Sequence, residues 1–199
     1  MALLIACLAF AIAFVLGLGL ALLRRSRIPL VRPAVVVFVE VFRGIPPLTL
    51  LFIIYFGLTN VGVRLDSITA AVLGLGLIGS AFCSEIFRAG LSAIPDGQWE
   101  AAACAGMTPA QAARYVIFPQ AFQVTLPPLG NYLIALFKDT AVASAVAAPE
   151  ILFRARSLTV ETMETPLIYA MVAVIYLVLT LLIARGVTRL ERFGRRARR

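Results

Sequence analysis

Long apolar runs, separated by short polar or arginine-rich stretches, set the pattern of this chain. Runs of about 20 apolar residues are long enough to cross a bilayer about 30 Å thick at about 1.5 Å per helical residue. The pattern predicts five spans, at about 2–23, at 46–60, at 67–87, from about 122, and at 166–184. We therefore expect an all-α membrane protein with about five transmembrane helices in a single membrane domain over residues 1–199.

Arginine clusters predict the orientation of these spans. The arginines after the first span are Arg24, Arg25, Arg27 and Arg32, and those of the tail are Arg185, Arg189, Arg192, Arg195, Arg196, Arg198 and Arg199. Because basic residues favour the cytoplasmic side, the N-terminus is expected outside and the C-terminus in the cytoplasm. Arg154 and Arg156 fall on the outer side in this scheme and count against the rule. The net charge of +8 is accounted for in the same way and does not indicate nucleic-acid binding.

The connections between the spans differ in character. Residues 33–44 are expected to form a short re-entry segment, 61–66 an outer turn and 149–165 a polar outer stretch. Pro127 and Pro128 are expected to interrupt the start of the fourth span. Glu-x-Phe-Arg occurs twice, at 40–43 and 85–88, with acid and base three residues apart, where a helix brings them together. Pairs of this kind at a membrane surface are typical anchors of helix ends.

A helical hairpin is predicted at about 95–119, between the third and fourth spans. Asp96 is placed to cap its first helix, and the run 101–105 strongly favours helix. Gly106 suits the left-handed residue that ends a helix. Short alanines would let another protein approach the backbone closely, while Glu100 offers a charged contact. A chance hairpin in a loop is the alternative.

The second helix of the hairpin has its own start and stop signals. Thr108, Pro109 and Gln111 occupy the positions of a capping box with proline in the first turn. Pro119 is expected to end this helix. By alternation of the spans the hairpin would lie in the cytoplasm.

Charged and polar side chains inside the fourth span are candidates for a substrate path, because charge within a bilayer is costly and tends to mark function. These candidates are Lys138, Asp139, Thr140, Asn131 and Ser144. The alternative is a structural contact of Lys138 or Asp139 with a neighbouring helix. Glu85 is a further candidate, although pairing with Arg88 at the interface is favoured.

Several kinds of chemistry are excluded by what the chain does not contain. There is no histidine, and no Gly-x-x-x-x-Gly-Lys-[Ser/Thr] loop that could cradle ATP phosphates. The three cysteines, Cys7, Cys83 and Cys104, lack the spacing of a metal or disulfide site. We therefore expect neither an ATPase nor a metalloenzyme.

Several segments together match a known family. They are Glu100-Ala101-Ala102 with Gly106 and Ile117-Phe118-Pro119, Glu40 to Pro46, Ile94 to Glu100, Leu126 to Asn131, and Lys138-Asp139-Thr140. The chain resembles the permease subunits of type I ABC importers, in the branch that carries polar amino acids such as histidine, arginine, glutamine and glutamate. Ile45 and Ala141 depart from that pattern, which usually has threonine and serine there.

The resemblance implies a division of labour in a bacterial cytoplasmic membrane. This chain would form half of the translocation path for a polar amino acid, and a second copy or a related permease would form the other half. Two cytoplasmic ATPase subunits would bind ATP and Mg²⁺, and an extracytoplasmic solute-binding protein would deliver the substrate. No cofactor is expected in this chain. The resemblance implies that the hairpin couples this chain to the ATPase. The residues to which it gives this role are Glu100, Ala101, Ala102, Gly106 and Pro119.

Two other classes of function remain as alternatives. A channel or secondary carrier would work without an ATPase, and the hairpin would then have no partner. A membrane scaffold or an intramembrane enzyme is the third hypothesis, and the lack of histidine and of clustered acids argues against the enzyme.

Overall fold

A computed structural model describes residues 1–26 and 28–196, with side chains described up to Leu190. These residues contain ten α-helices, two π-helical turns and one 3₁₀ helix. Three helices are long and apolar enough to cross a membrane, and two bent helix pairs raise the number to as many as five. The predicted all-α class with about five spans is confirmed. The orientation stays a prediction, and Arg27, Arg198 and Arg199 lie outside the described residues.

The first half of the chain contains five helices. They are α1 (Ala2–Leu23), α2 (Val31–Gly44), α3 (Pro47–Phe52), α4 (Leu58–Asn60) and α5 (Ser67–Ser92), with a π-helical turn at Ile53–Gly57 between α3 and α4. The re-entry segment expected at 33–44 is therefore a full helix. It meets the next helix at a 103° bend, where Ile45 is extended because Pro46 follows it.

The second half contains the hairpin and two further spans. Its helices are α6 (Asp96–Cys104), α7 (Pro109–Ala112), α8 (Phe118–Asp139), α9 (Ile151–Thr162) and α10 (Thr165–Arg196). A π-helical turn at Ala113–Ile117 joins α7 to α8, and a 3₁₀ helix at Thr140–Val146 follows α8. The polar stretch expected at 149–165 is thus mostly the helix α9.

Helix α5 lies at the centre of the fold and packs against α1, α2, α3 and α8. Its buried face is rich in glycine, alanine and serine, which lets neighbouring backbones approach closely. A Cβ placed on Gly79 would lie 2.6 Å from Ala13 Cβ of α1 and 3.0 Å from the Tyr132 hydroxyl of α8. Close packing by small residues therefore holds α1, α5 and α8 together.

Two predicted breaks at proline do not occur. Pro127 and Pro128 lie inside α8, as membrane helices tolerate, and the break comes later, at Ala147, which has a left-handed φ of 58°. Pro119 does not end the hairpin helix either, since the chain passes through the π-helical turn into α8. That wider turn includes Tyr115, whose carbonyl would otherwise clash with the proline ring.

Candidate functional site

The hairpin is closed by backbone hydrogen bonds at the end of α6. The Met107 N–H donates to the Ala102 carbonyl at 3.0 Å, and the Gly106 N–H donates to the Ala103 carbonyl at 2.9 Å. These two bonds form a Schellman motif, which requires a left-handed residue, and Gly106 has a φ of 77°. The prediction for Gly106 is confirmed. The prediction that Asp96 caps the helix is wrong, because Pro95 is the N-cap and Asp96 is the first helical residue.

The start of α7 shows the predicted capping box. The Gln111 N–H donates to Thr108 Oγ1 at 3.3 Å, and the Thr108 N–H donates to Gln111 Oε1 at 2.9 Å. Pro109 takes the first helical position, where its missing N–H leaves no bond unmade. Both sides of the hairpin turn are therefore fixed by bonds within the turn itself.

The base of the hairpin is anchored to the ends of α5 and α8. Ile94, Ile117 and Ala121 form a small buried cluster, and Trp99 packs against it. The Gln120 side chain donates to the Gln98 side chain at 2.9 Å, which links α6 directly to α8. The hairpin is thus one rigid unit with the adjoining membrane helices.

Most of the hairpin is exposed and available to a partner. Glu100, Ala101 and Gly106 are exposed, while Ala102 is buried, at 4% exposure. Pro119 is exposed, but it lies in the first turn of α8 and not at the tip. The exposed side of α6 and the following turn thus carries the Glu100 carboxylate beside small residues, which lets another protein approach the backbone closely.

Glu85 forms ion pairs in the C-terminal part of α5. Its carboxylate accepts from Arg24, at the end of α1, and from Arg88 Nε at 2.8 Å. The predicted pairing with Arg88 is present, and Arg24 adds a link between helices. The related pair, Glu40 and Arg43, forms no ion pair among the described residues; the Arg43 guanidinium instead lies 5.5 Å from the centre of the Phe82 ring.

The fourth-span candidates lie around the end of α8. Lys138 and Asn131 are exposed, Asp139 is half-buried, and Thr140 and Ser144 are buried. Thr140 Oγ1 donates to the Phe137 carbonyl at 2.7 Å, so its proton already has a partner. Asn131 and Lys138 are seven residues apart and share one face of the helix. On this face, polar side chains are exposed on a helix that could cross a membrane as one half of a bent pair, 109–146 and 151–162.

Glu85 lies apart from these candidates. The 3₁₀ helix after α8 contacts α5, and Ala143 belongs to the same buried cluster as Ala70 and Ala71, near the start of α5. Glu85 is some 14 residues further along that helix, or roughly 21 Å along its axis. The structure therefore brings Asp139, Thr140 and Ser144 near one end of α5, and it places Glu85 near the other.

Glu150 is a buried carboxylate that the sequence did not single out. It is 1% exposed and caps α9, accepting from the backbone N–H groups of Leu152 at 2.9 Å and Phe153 at 2.6 Å. The Tyr176 hydroxyl of α10 donates to it at 3.0 Å. Glu150 therefore fixes α9 against α10. Its position just before a helical stretch could have indicated the helix cap, but not the burial.

These features define a class: an α-helical protein that crosses the membrane several times and carries a rigid, exposed hairpin between two of its spans. The chain belongs to the family of binding-protein-dependent transport system inner membrane components, whose model matches residues 13–196. Members of this class are permease subunits of ABC importers, and the predicted permease architecture is confirmed. Family membership implies a separate ATPase subunit and a substrate-binding protein as partners.

Relatives and solved structures agree with this assignment. The probable glutamine ABC transporter permease protein GlnM of Bacillus subtilis is 37% identical over 190 residues, which cover 96% of this chain and 88% of that protein. The L-cystine transport system permease protein TcyB of the same organism is 38% identical, with 89% and 76% covered. A crystal structure of an amino acid ABC transporter with histidines matches with a TM-score of 0.91 and 38% identity, covering 96% and 90%. The inward-facing MetNI methionine ABC transporter matches with a TM-score of 0.79 and 25% identity, covering 97% and 92%.

Proposed function

We propose that this permease subunit carries a polar amino acid inward across a bacterial cytoplasmic membrane. It forms half of the path, and a second copy or a related permease forms the other half. The hairpin at 95–119 faces the cytoplasm and docks on an ATPase dimer, which binds ATP and Mg²⁺. A solute-binding protein delivers the substrate on the outer side, where the N-terminus lies.

The hairpin is the observation that carries the coupling proposal. A Schellman motif and a capping box make its tip stiff, and the Gln98–Gln120 hydrogen bond ties its base to α8. A stiff, exposed element can transmit force, whereas a loose loop would absorb it. Glu100 supplies a charged contact, and Ala101 and Gly106 let the partner approach the backbone.

The outer face of α8 supports the proposal of a shared path. Exposed Lys138 and Asn131 would be costly against lipid, so a second subunit or a water-filled path is expected to cover them. An amino acid carries both an ammonium and a carboxylate group. Asp139 and Lys138 supply opposite charges at adjacent positions, with Thr140 and Ser144 nearby. The named relatives that act on amino acids point to the same substrate class.

Uptake and ATP hydrolysis measured together test the coupling role. We expect Glu100→Arg in the assembled transporter to reduce uptake while the ATPase remains active, because the driving contact is lost but the fold is not. Glu161→Arg is the matched control, since Glu161 is an exposed acid on α9. Equal uptake in the two variants would contradict the coupling role.

Co-purification separates the importer from an ATPase-independent channel or carrier. We expect a stoichiometric ATPase subunit to be lost on Gly106→Pro, because proline cannot adopt a φ of 77°. A chain that purifies alone with full uptake would overturn the importer.

The sidedness of the hairpin can be tested with a residue already in place. Cys104 is exposed in α6. In a Cys7→Ser background, a membrane-impermeant maleimide should label Cys104 only in permeabilised cells. Labelling in intact cells would place the hairpin outside and overturn the proposed orientation.

A further inference from the structure

A pocket lined by arginines opens where α1, α2 and α5 come together. Its volume is about 300 Å³, and its basic lining residues are Arg24, Arg25, Arg32 and Arg88. Glu85 neutralises part of this charge through its bonds to Arg24 and Arg88. Arg25 and Arg32 form no ion pair with any residue that the structure describes. The pocket therefore keeps an excess of positive charge and suits an anionic group such as a phosphate.

An apolar groove begins where the arginine pocket ends. Its volume is about 330 Å³, and Leu91 lines both cavities. Along α1 the groove is lined by Leu22, Leu18 and Phe14, which span about 12 Å of helix. Thr125 also lines it, but its hydroxyl donates to the Phe122 carbonyl at 2.8 Å. The groove thus offers apolar surface that runs from the end of α1 toward the middle of the helix.

We propose that this composite site binds one anionic phospholipid of the bilayer, with its phosphate among the arginines and an acyl chain in the groove. The arginine pocket and the apolar groove follow one another as the headgroup and the acyl chains of a lipid do at a membrane surface. The arginines lie beyond the apolar part of α1, at headgroup level, and the groove lies beside its apolar part. Basic pockets between spans are known sites for anionic headgroups. A soluble phosphate would use the arginines but would leave the groove empty.

Native mass spectrometry of the assembled transporter, purified with its ATPase, tests the charge requirement. Dioleoyl phosphatidylglycerol and dioleoyl phosphatidylcholine are the probes, because they share acyl chains and differ in net charge. We expect phosphatidylglycerol to bind more tightly. The Arg25→Gln/Arg32→Gln variant should weaken it about 30-fold, from a roughly five-fold effect for each arginine near a membrane surface. Arg154→Gln/Arg156→Gln, which removes two exposed arginines of α9, is the matched control and should leave binding unchanged.

A second pair of variants tests the groove. Leu22→Trp should fill the groove and weaken phosphatidylglycerol binding, whereas Leu23→Trp alters an exposed neighbour that does not line it. Equal binding of the two lipids, or equal losses in the arginine variant and its control, would overturn the proposal. Displacement of the lipid by inorganic phosphate, with no effect of Leu22→Trp, would instead indicate a soluble-anion site. Loss of a bound ATPase from the Arg25→Gln/Arg32→Gln variant, with lipid binding intact, would assign these arginines to a protein contact.

Discussion

Two glycines of α1 provide a direct test of how closely α1 and α5 pack. A Cβ on Gly17 would lie 2.5 Å from Cys83 Cβ, 2.9 Å from the Ser80 carbonyl oxygen and 3.0 Å from the Ser84 nitrogen. A Cβ on Gly19 would meet nothing within 4 Å. Because two of the three atoms near Gly17 belong to the backbone, no change of rotamer can relieve the clash. Gly17→Ala should therefore push the two helices apart, and Gly19→Ala should not.

The expected magnitude follows from two terms. Alanine is favoured over glycine in a helix by about 1 kcal/mol, and this term applies to both variants and cancels between them. Overpacking of a tight contact costs about 1–3 kcal/mol and applies to Gly17→Ala alone. We therefore expect Gly17→Ala to have a free energy of unfolding about 1–3 kcal/mol below that of Gly19→Ala.

Unfolding by SDS in mixed micelles, followed by far-ultraviolet circular dichroism, measures this difference. Gly19→Ala serves as the matched control, because it makes the same substitution in the same helix two residues away. Equal unfolding midpoints for the two variants would refute the close approach of α1 and α5 at Gly17.

Three further predictions concern charged groups. Asp66 caps α5, and the hydrogen bond from the Thr69 hydroxyl, together with the backbone N–H bonds, lowers the pKa of its carboxyl. Its contribution is therefore present above its usual pKa of 3.8 and is lost as the pH falls through the lower folded-state pKa. The protection factor of the Thr69 amide in hydrogen exchange should fall over that range, and Asp66→Ala should show the low protection factor at every pH. Glu85→Gln should lower the free energy of unfolding by about 1 kcal/mol, because its partly buried carboxylate accepts hydrogen bonds from two guanidinium groups that solvent partly screens. A double-mutant cycle with Arg24→Gln should show coupling, and strict additivity would contradict the link between α1 and α5. Asp139→Asn should reduce uptake at least about ten-fold, the effect of one lost hydrogen bond to a charged group, with assembly checked by co-purification; unchanged uptake kinetics would remove Asp139 from the path.

The turn of the hairpin could be predicted from sequence because its bonds are local. Thr108 and Gln111 are three residues apart, and the Schellman bonds join residues within one turn of Gly106. Residue identity alone decides such contacts. The same holds for Glu85 and Arg88, which are three residues apart on one helix.

Contacts between distant parts of the chain could not be predicted in this way. Arg24 is 61 residues from Glu85, and Tyr176 is 26 residues from Glu150. Nothing in the local pattern around Glu150 indicates a buried acid, because its burial depends on the position of α10. The close contact at Gly17 likewise exists only because α5 lies against α1. Tertiary packing determines all three.

The passage of the helix through Pro119 changes how the hairpin connects to the path. A break there would have put a hinge between the hairpin and the fourth span. Instead, helical structure runs from Pro109 through the π-helical turn and α8 to Val146. These 38 residues correspond to a rod of roughly 57 Å at α-helical rise. The rod joins the proposed docking element at one end to Asp139 and Ser144 near the other. Displacement of the hairpin by a partner would therefore reach these polar groups through continuous helical structure, which contains Pro127 and Pro128.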